Sequence, residues 1–447
     1  MHSELASVHQ REGEIMDTVL FKNVGVIDGS GAAPFAAEVL VRGQHIAQVA
    51  PTIDAPQDCR VVNGGGATLM PGLIESHSHI TFLDTADLES LGYVPVEEHL
   101  LRSLKNARRM LDQGFTSCIS AAAAKPRLDI VLRNAIDSGD FAGPRTLAAT
   151  PELTVSGGLG DVNLWHMQRS TFAIVCDGAD EFRKAAREMV REGVDTLKIN
   201  PSGDEFVPHA RASQTVMTEA EIAAVCEVGH AHGKPIAAHA RSAQAVKLCV
   251  KHGVQRIYHA TLCDEDALAA LADARDWVFV APTLGITVAT LYEAGPWGLS
   301  TAQAESMGMK SELDAAITNM KRLKQLGVRL LPGGDYGFAW NPIGRNARDV
   351  EHFVRLLNFT PLEAIRAATE LGGQMMGRSD LGLIRAGYLA DLLLVDGDPS
   401  VDVALLQDAE CLIAIMKDGR FHKAPDVTVT RLARAQKQHK PDHETMV

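Results

Sequence analysis

The stretch PGLIESHSH, residues 71–79, places an apolar run directly before two histidines. On a β-strand, residues i and i+2 point to the same face, so the imidazoles of His77 and His79 can reach one metal ion. A second pair with this spacing, His230 and His232, ends a helical pattern, where residues two apart point to different sides. We therefore predict that the first pair binds metal and that the second pair is structural or solvent-facing.

Four further residues stand at or near the ends of short apolar runs, namely Lys198, His239, His259 and Asp335. A single buried histidine is more often a core residue than a ligand, and a single lysine at a strand end usually reaches solvent. All four, however, share the strand-end context of the first histidine pair. The six residues together therefore predict a metal site.

Eight short strand-like runs, separated mostly by helical patterns, cover most of the chain. Alternating strands and helices imply parallel pairing, and eight such units predict an α/β fold of the (β/α)8 TIM-like barrel type. In such a barrel the carboxyl ends of the strands meet on one face, which would gather the six residues around one cavity. The predicted strands lie near residues 73–80, 115–121, 144–151, 194–200, 235–240, 255–260, 277–283 and 328–335.

Both chain ends carry further strand patterns, broken by glycine and Asp-Gly turns. Residues 18–27, 37–41 and 45–49 precede the barrel, and residues 389–395 and 412–417 follow it. We predict that these strands form a small β-sandwich domain built from both chain ends. The predicted organisation is a leader tail at 1–16, the composite β-sandwich at 17–72 plus 381–428, the barrel at 73–380 and a polar tail at 429–447.

Composition disfavours several classes of protein. The chain has 447 residues, of which 46% are hydrophobic, and a mean hydropathy of −0.01, so it can bury a large core. A net charge of −13 without a basic patch disfavours nucleic acid as a partner. The seven scattered cysteines indicate reduced thiols, and no apolar run reaches the roughly 18 residues of a membrane span. We expect a cytoplasmic homo-oligomer that acts on a small molecule.

The motifs resemble those of the amidohydrolase superfamily of metal-dependent hydrolases, over nearly the whole chain. The similar segments are a strand-one signature at 71–79, a lysine strand at 194–198, histidine strands at 238–239 and 258–259, a final aspartate at 334–335 and a return to the small β domain at 382–399. Within the superfamily the chain looks closest to the imidazolonepropionase-related branch. This branch includes Xaa-Pro dipeptidases, carboxypeptidase-like amidases, ochratoxin hydrolases and herbicide carbamate or urea hydrolases.

Four positions depart from the pattern of that branch. Leu159 and Ile343 stand where histidines are usual, Tyr258 stands where glutamate is common, and Glu75 replaces the more usual aspartate. The first three would line or border the substrate cavity. They leave the predicted metal site intact and leave the identity of the substrate open.

The resemblance implies a centre with two divalent metal ions. An ammonium beside two cations would be repelled, whereas carbon dioxide converts a lysine amine into an anionic, bidentate carbamate. Imidazole and carboxylate ligands suit zinc, our predicted metal, but also accept cobalt, manganese or nickel. The implied ligands are His77, His79 and Asp335 for one ion, His239 and His259 for the other, and carbamylated Lys198 as the bridge.

Such a centre predicts hydrolysis of an exocyclic amide C–N bond by a metal-bridging hydroxide, with Asp335 as general base and then general acid. Substrates would be N-acyl amino acids, dipeptides or aryl amides, and carbamates or ureas are the alternative. Cyclic-amide opening or deamination at a mononuclear site is a further alternative. The bridging Lys198 argues against it, and so does the absence of a glutamate shortly after His239. An inactive scaffold is disfavoured because all six ligand positions are filled.

Substrate contacts are predicted less directly. Arg241, two residues beyond His239, could bind a substrate carboxylate bidentately, and its alternative is an ion pair with a loop carboxylate. Tyr258, Tyr336 and Trp340 are candidates for the pocket lining, although aromatic residues near a barrel mouth equally often serve packing.

Overall fold

The computed structural model describes residues 18–169 and 172–425. The predicted tails at 1–16 and 429–447 therefore lie outside the described residues. The strands are β1 (Thr18–Val26), β2 (Phe35–Arg42), β3 (His45–Ala50), β4 (Arg60–Asn63), β5 (Thr68–Pro71), β6 (Leu73–Ser78), β7 (Phe115–Ser120), β8 (Arg145–Leu147), β9 (Glu152–Thr154), β10 (Ala173–Val175), β11 (Leu197–Ile199), β12 (Ile236–Ser242), β13 (Arg256–Leu262), β14 (Phe279–Ala281), β15 (Arg329–Leu330), β16 (Leu392–Val395), β17 (Leu412–Lys417) and β18 (Arg420–Lys423).

Helices separate most of the strands in the middle of the chain. None of the helices in the described ranges has the length and apolar character needed to cross a membrane. The α-helices are α1 (Val96–Asp112), α2 (Leu128–Asp137), α3 (Ala179–Glu192), α4 (Glu219–Ala231), α5 (Ala243–Lys251), α6 (Glu265–Asp273), α7 (Leu284–Tyr292), α8 (Thr301–Met307), α9 (Met309–Gln325), α10 (Arg348–Leu357), α11 (Pro361–Ala367) and α12 (Glu370–Met375).

Two parallel sheets contain a strand from each of the eight predicted runs. The 3-stranded sheet has the order β6-β7-β8, and the 7-stranded sheet has the order β10-β9-β11-β12-β13-β14-β15. Strands β9 and β10 were not predicted. Parallel bridges join Ser78 to Tyr336 and Ala149 to Thr196, so each edge of the smaller sheet is linked to the larger one.

Strands from both chain ends form a third, mixed sheet. It is 8-stranded, with the order β18-β17-β16-β5-β1-β2-β3 and with β4 paired to β1. Along β1, Val19 and Phe21 are buried in one apolar cluster, whereas Leu20 is buried with Leu40 and Ile53 in another. This alternation follows the two-residue period of a strand and covers both faces. Strands β1–β5 and β16–β18 thus share one sheet, while the composite β-sandwich domain stays a prediction.

The mixed sheet meets the parallel strands at a tight junction. A Cβ atom on Gly72, between β5 and β6, would lie 2.2 Å from Oγ1 of Thr116, so only glycine fits. Arg145 of β8 donates from Nη1 to Asp391 at 2.7 Å and also pairs with Asp418. The junction thus fixes the start of β6, the strand that carries His77.

Candidate metal centre

All six predicted ligands are buried, and they lie either on parallel strands or beyond the carboxyl ends of such strands. Parallel strands present these ends at one edge, which explains why residues so distant in sequence come together. His77, His259 and Asp335 each offer a ligand atom within 4.8 Å of the other two. By contrast, His230 and His232 are exposed at the end of α4, as predicted.

Asp335 faces two imidazoles without forming a hydrogen bond to either. Its Oδ1 atom lies 3.2 Å from Nε2 of His77 and 3.0 Å from Nε2 of His79, yet it has no aligned donor. Nδ1 of His79 lies 3.3 Å from the carbonyl oxygen of Ala122, a contact that requires the ring hydrogen on Nδ1. In the neutral ring, Nε2 of His79 therefore points a lone pair at a carboxylate oxygen.

His239 and His259 show the same conflict. Nδ1 of His259 donates to Oγ1 of Thr283 at 2.6 Å, because that hydroxyl itself donates to the carbonyl of Pro282. Nε2 of His239 donates to the carbonyl of Gly203 at 3.1 Å. The remaining ring nitrogens, Nδ1 of His239 and Nε2 of His259, face each other at 2.8 Å, and in neutral rings both are acceptors.

For His77, His239 and His259, gaining a proton does not resolve the conflict near neutral pH. Burial lowers the pKa of His77 to about 4 and holds the pKa values of His239 and His259 well below the ordinary range. Burial would raise the pKa of Asp335, but wherever His77 or His79 carries a proton, the charge of that ring holds the Asp335 pKa well below normal, so the carboxylate stays ionised. Neutral imidazoles and an ionised carboxylate are the ligand forms that divalent metals require, so the residues fit a metal ion.

Lys198 lies in a fully buried polar environment. Its Nζ is 3.2 Å from Oδ1 of Asn200 and 3.6 Å from Oε1 of Glu152, and Nδ2 of Asn200 donates to Oε2 of Glu152 at 2.7 Å. Burial lowers the pKa of Lys198, which favours the neutral amine that reacts with carbon dioxide. Sequence reasoning missed Glu152 and Asn200. Asn200 follows Lys198 by two residues and so shares its strand face, which is the signal that could have revealed it.

Left-handed backbone conformations cluster at the same strand ends. His259, Ala260, Thr283 and Asp335 have φ values of 73°, 49°, 57° and 62°. The first two lie within β13, and Thr283 and Asp335 follow β14 and β15. Residues other than glycine rarely adopt such values, and each costs about 1–3 kcal/mol. Thr283 is the least expected of them because it is β-branched. The surrounding core therefore holds a strained backbone that aims His259 and Asp335.

Arg241 is engaged by two buried carboxylates. Its Nε donates to Oδ2 of Asp204 at 2.9 Å, and its Nη1 pairs with Glu312 of α9. The ion pair that was the alternative for Arg241 is therefore present. Binding of a substrate carboxylate by this residue stays a prediction, and it would have to compete with both acids.

The aromatic candidates differ in burial. Tyr258 and Tyr336 are buried completely, and Tyr336 donates its hydroxyl hydrogen to Oδ2 of Asp349 at 2.6 Å. The Tyr258 ring lies 4.0 Å from that of His77, measured between centroids, and its buried hydroxyl has no partner in the part of the chain that the structure describes. Trp340 is half-buried, and its Nε1 donates to Oγ1 of Thr290 at 3.0 Å. Contact with substrate stays a prediction for all three.

Glu75 of β6, the strand that carries His77, accepts two hydrogen bonds near that histidine. It accepts hydrogen bonds from the backbone nitrogen of His77 at 2.9 Å and from Nδ2 of Asn346 at 2.7 Å. Burial raises the pKa of Glu75 to about 8 despite these donors. The glutamate that departs from the branch pattern thus ties β6 to the segment before α10.

Replacing Thr283 by valine should weaken metal binding. Valine keeps the shape and the β-branch but removes the oxygen that accepts from Nδ1 of His259. We expect a loss of metal affinity of about 10- to 100-fold, the range for such outer partners of a ligand histidine. Competition with a chromophoric chelator, using metal-stripped protein, measures this affinity. Thr283→Ser keeps the oxygen and serves as the control, and wild-type affinity in the valine variant would contradict the assigned role.

Replacing Arg241 by methionine should destabilise the fold. The change leaves Asp204 and Glu312 buried without their cation, so we expect the free energy of unfolding to fall by about 3–5 kcal/mol. Urea denaturation provides the measurement. Arg211→Met is the control, because Arg211 pairs with Glu205 at 3.2 Å but has a side chain that is 44% exposed. This substitution should change the free energy of unfolding by only about 0–1 kcal/mol. Equal effects of the two substitutions would show that the buried ion pairs of Arg241 do not stabilise the fold.

Comparison with known proteins identifies the family of the chain. The model of the Amidohydrolase family matches residues 68–421. Ochratoxinase from Aspergillus niger is 22% identical over 92% of this chain and 87% of its own length, and imidazolonepropionase from Deinococcus radiodurans is 24% identical over 82% and 87%. A prolidase crystallised with N-methylphosphonate-L-proline is 26% identical, with a TM-score of 0.81, over 91% of this chain and 100% of its own. The predicted resemblance is confirmed: the chain belongs to the amidohydrolase family of hydrolases.

Proposed function

We propose that the chain is a metal-dependent hydrolase that cleaves an exocyclic amide C–N bond of a small molecule, such as an N-acyl amino acid, a dipeptide or an aryl amide. The proposal rests on one observation: buried hydrogen-bond acceptor atoms face each other in two pairs, His79 with Asp335 and His239 with His259. A divalent cation between such atoms turns repulsion into coordination. Membership of a hydrolase family supports the same conclusion.

We infer further that the two parallel sheets close into one (β/α)8 barrel, with the centre at its carboxyl-end face. The bridges at Ser78 and Ala149 support closure, because they lie on opposite edges of the smaller sheet. Active sites of such barrels lie at this face. The barrel would span 73–380, and the remaining segments, 17–72 and 381–428, would form the second domain.

The six residues divide into two ligand sets in this proposal. Bound divalent ions, for which zinc is our choice, would lower the pKa of water and polarise the substrate carbonyl. Burial lowers the pKa of the Lys198 amine, and this lowering supports its conversion to the bridging carbamate. The sets are His77, His79 and Asp335 for one ion and His239 and His259 for the other, with Lys198 shared.

Asp335 would move the proton. As an ionised carboxylate it accepts a proton from the attacking water while the new C–O bond forms at the carbonyl carbon. It then gives that proton to the leaving nitrogen as the C–N bond breaks, which yields a carboxylic acid and an amine. Its left-handed backbone and its position between His77 and His79 hold Oδ1 in place for both transfers.

Carbamate or urea cleavage is the second candidate. Both reactions use the same attack on a carbonyl carbon bearing nitrogen, and the pairing of Arg241 with two acids favours a substrate without a carboxylate. Cyclic-amide opening or deamination is less favoured because a buried lysine beside the histidines suits a bridged pair of ions. An inactive scaffold is disfavoured by the burial of all six residues together.

The purified protein should contain about two divalent ions per chain, and Lys198→Ala should abolish most activity while leaving the fold intact, because only the bridge is lost. Elemental analysis, circular dichroism and turnover measure the three quantities. Lys251→Ala is the control, since that side chain is 62% exposed. One tightly bound ion together with full activity in the Lys198 variant would rule out the binuclear proposal.

Asp335→Asn should retain a larger fraction of the wild-type metal content than of the wild-type turnover. The amide oxygen can still bind an ion, but it cannot accept and return a proton. Metal content and kcat are measured on the same preparation. Near-normal turnover would remove Asp335 from the proposed proton transfer.

A substrate panel tests the reaction class directly, by release of amine from N-acyl amino acids, dipeptides and aryl amides against aryl carbamates, aryl ureas and cyclic amides. Exocyclic amides should be cleaved fastest. If Arg241 binds a carboxylate, free acids should be cleaved far faster than their methyl esters; equal rates would indicate a neutral substrate. Turnover of cyclic amides alone, or release of ammonia from ring amines alone, would contradict the proposed function.

A further inference from the structure

Aromatic rings form a continuous path from the candidate centre toward solvent. The His79 ring lies 4.1 Å from that of Phe82 and 6.1 Å from that of Phe338, between centroids. Phe338 stacks on Trp340 at 6.2 Å with an interplanar angle of 27°. Trp340 in turn lies 6.2 Å from Phe206 and 6.4 Å from Trp297. We call these five residues, Phe82, Phe206, Trp297, Phe338 and Trp340, the aromatic wall.

The aromatic wall becomes more exposed with distance from the centre. Phe82 is 1% exposed, Phe338 and Trp340 are half-buried, and Phe206 and Trp297 are 43% and 47% exposed. Its members come from segments that follow β6, β11, α7 and β15, so separate loops converge on one surface. Packing alone does not require aromatic rings at the exposed end. Contiguous apolar surface next to a polar site is typical of a ligand-binding surface.

The charges beside the centre favour an uncharged ligand. Arg241 is the cation nearest in sequence to His239, and its charge is already matched by Asp204 and Glu312. Both partners are buried acids, so a substrate carboxylate would have to compete with them for the guanidinium. Recognition by ring stacking needs no such charge.

We propose that the aromatic wall is the subsite for a neutral substrate bearing an aromatic ring, with the ring against Trp340 and Phe206 and the scissile carbonyl toward His79 and Asp335. This inference rests on the proposed function for the position of the scissile bond. A small molecule is the occupant because the inner end of the wall stops at a buried centre. The substrate class is therefore an aryl-bearing amide, carbamate or urea without a free carboxylate.

Binding of two uncharged probes, benzamide and cyclohexanecarboxamide, tests the subsite without relying on turnover. They differ in ring chemistry but carry the same amide. Ligand-observed NMR titration of the purified, metal-containing protein gives both dissociation constants. We expect benzamide to bind about 3- to 10-fold more tightly, the range for an aromatic pair beyond its buried area.

Substitutions in the aromatic wall test whether its rings cause the tighter binding of benzamide. Trp340→Leu should abolish it, and so should Phe206→Leu, whose exposed position in a loop makes unfolding no concern. Trp277→Leu is the matched control, because Trp277 is 39% exposed but precedes β14, at the opposite end of the strand. It should leave the preference unchanged.

No preference for benzamide in the wild type, or an equal preference in the wild type and both wall variants, would overturn the subsite. Failure of the proposed function looks different. In that case the aryl preference and its loss in Trp340→Leu persist, while no amide, carbamate or urea is hydrolysed. Hydrolysis that is indifferent to ring type would conversely support the proposed function and contradict the aromatic subsite.

Discussion

Buried acceptor atoms face one another at the carboxyl ends of the parallel strands, and the rest of the site depends on this constraint. Leaving one buried polar group without a partner costs about 1–3 kcal/mol, and here several converge. Ala122 and Thr283 fix the hydrogens of His79 and His259 on the far sides of the rings. The lone pairs are thereby directed inward, where bound cations would satisfy them.

The surrounding fold holds this unfavourable arrangement in place. The large apolar core packs behind the strands, and strained residues such as Thr283 and Asp335 persist because their neighbours determine their positions. Two buried clusters flank the histidines, Glu75 with Asn346 on one side and Arg241 with Asp204 and Glu312 on the other. These contacts hold the strands and loops that carry the histidines in place.

The sequence alone predicted the strands that carry the ligands, because the apolar run before His77 and the His-x-His spacing reflect strand geometry directly. It did not predict the partners that come from distant segments. Glu312 of α9 pairs with Arg241, and Glu152 of β9 pairs with Lys198. The partners are far apart in sequence, so no local sequence pattern indicates either contact. The left-handed conformation of Thr283 also lacks a signal, since β-branched residues normally avoid it. Substrate recognition depends on such loop contacts, and for this reason sequence reasoning left it open.

Thermal unfolding of metal-stripped protein, with and without added zinc, tests most directly whether the facing acceptor atoms form a cation site. A cation that binds only the folded state at 100 times its dissociation constant stabilises that state by about 2.7 kcal/mol. A cation site at these atoms predicts a clear rise in the melting temperature on adding zinc, and a much smaller rise when His239 is replaced by phenylalanine. Identical melting temperatures with and without the metal would contradict it.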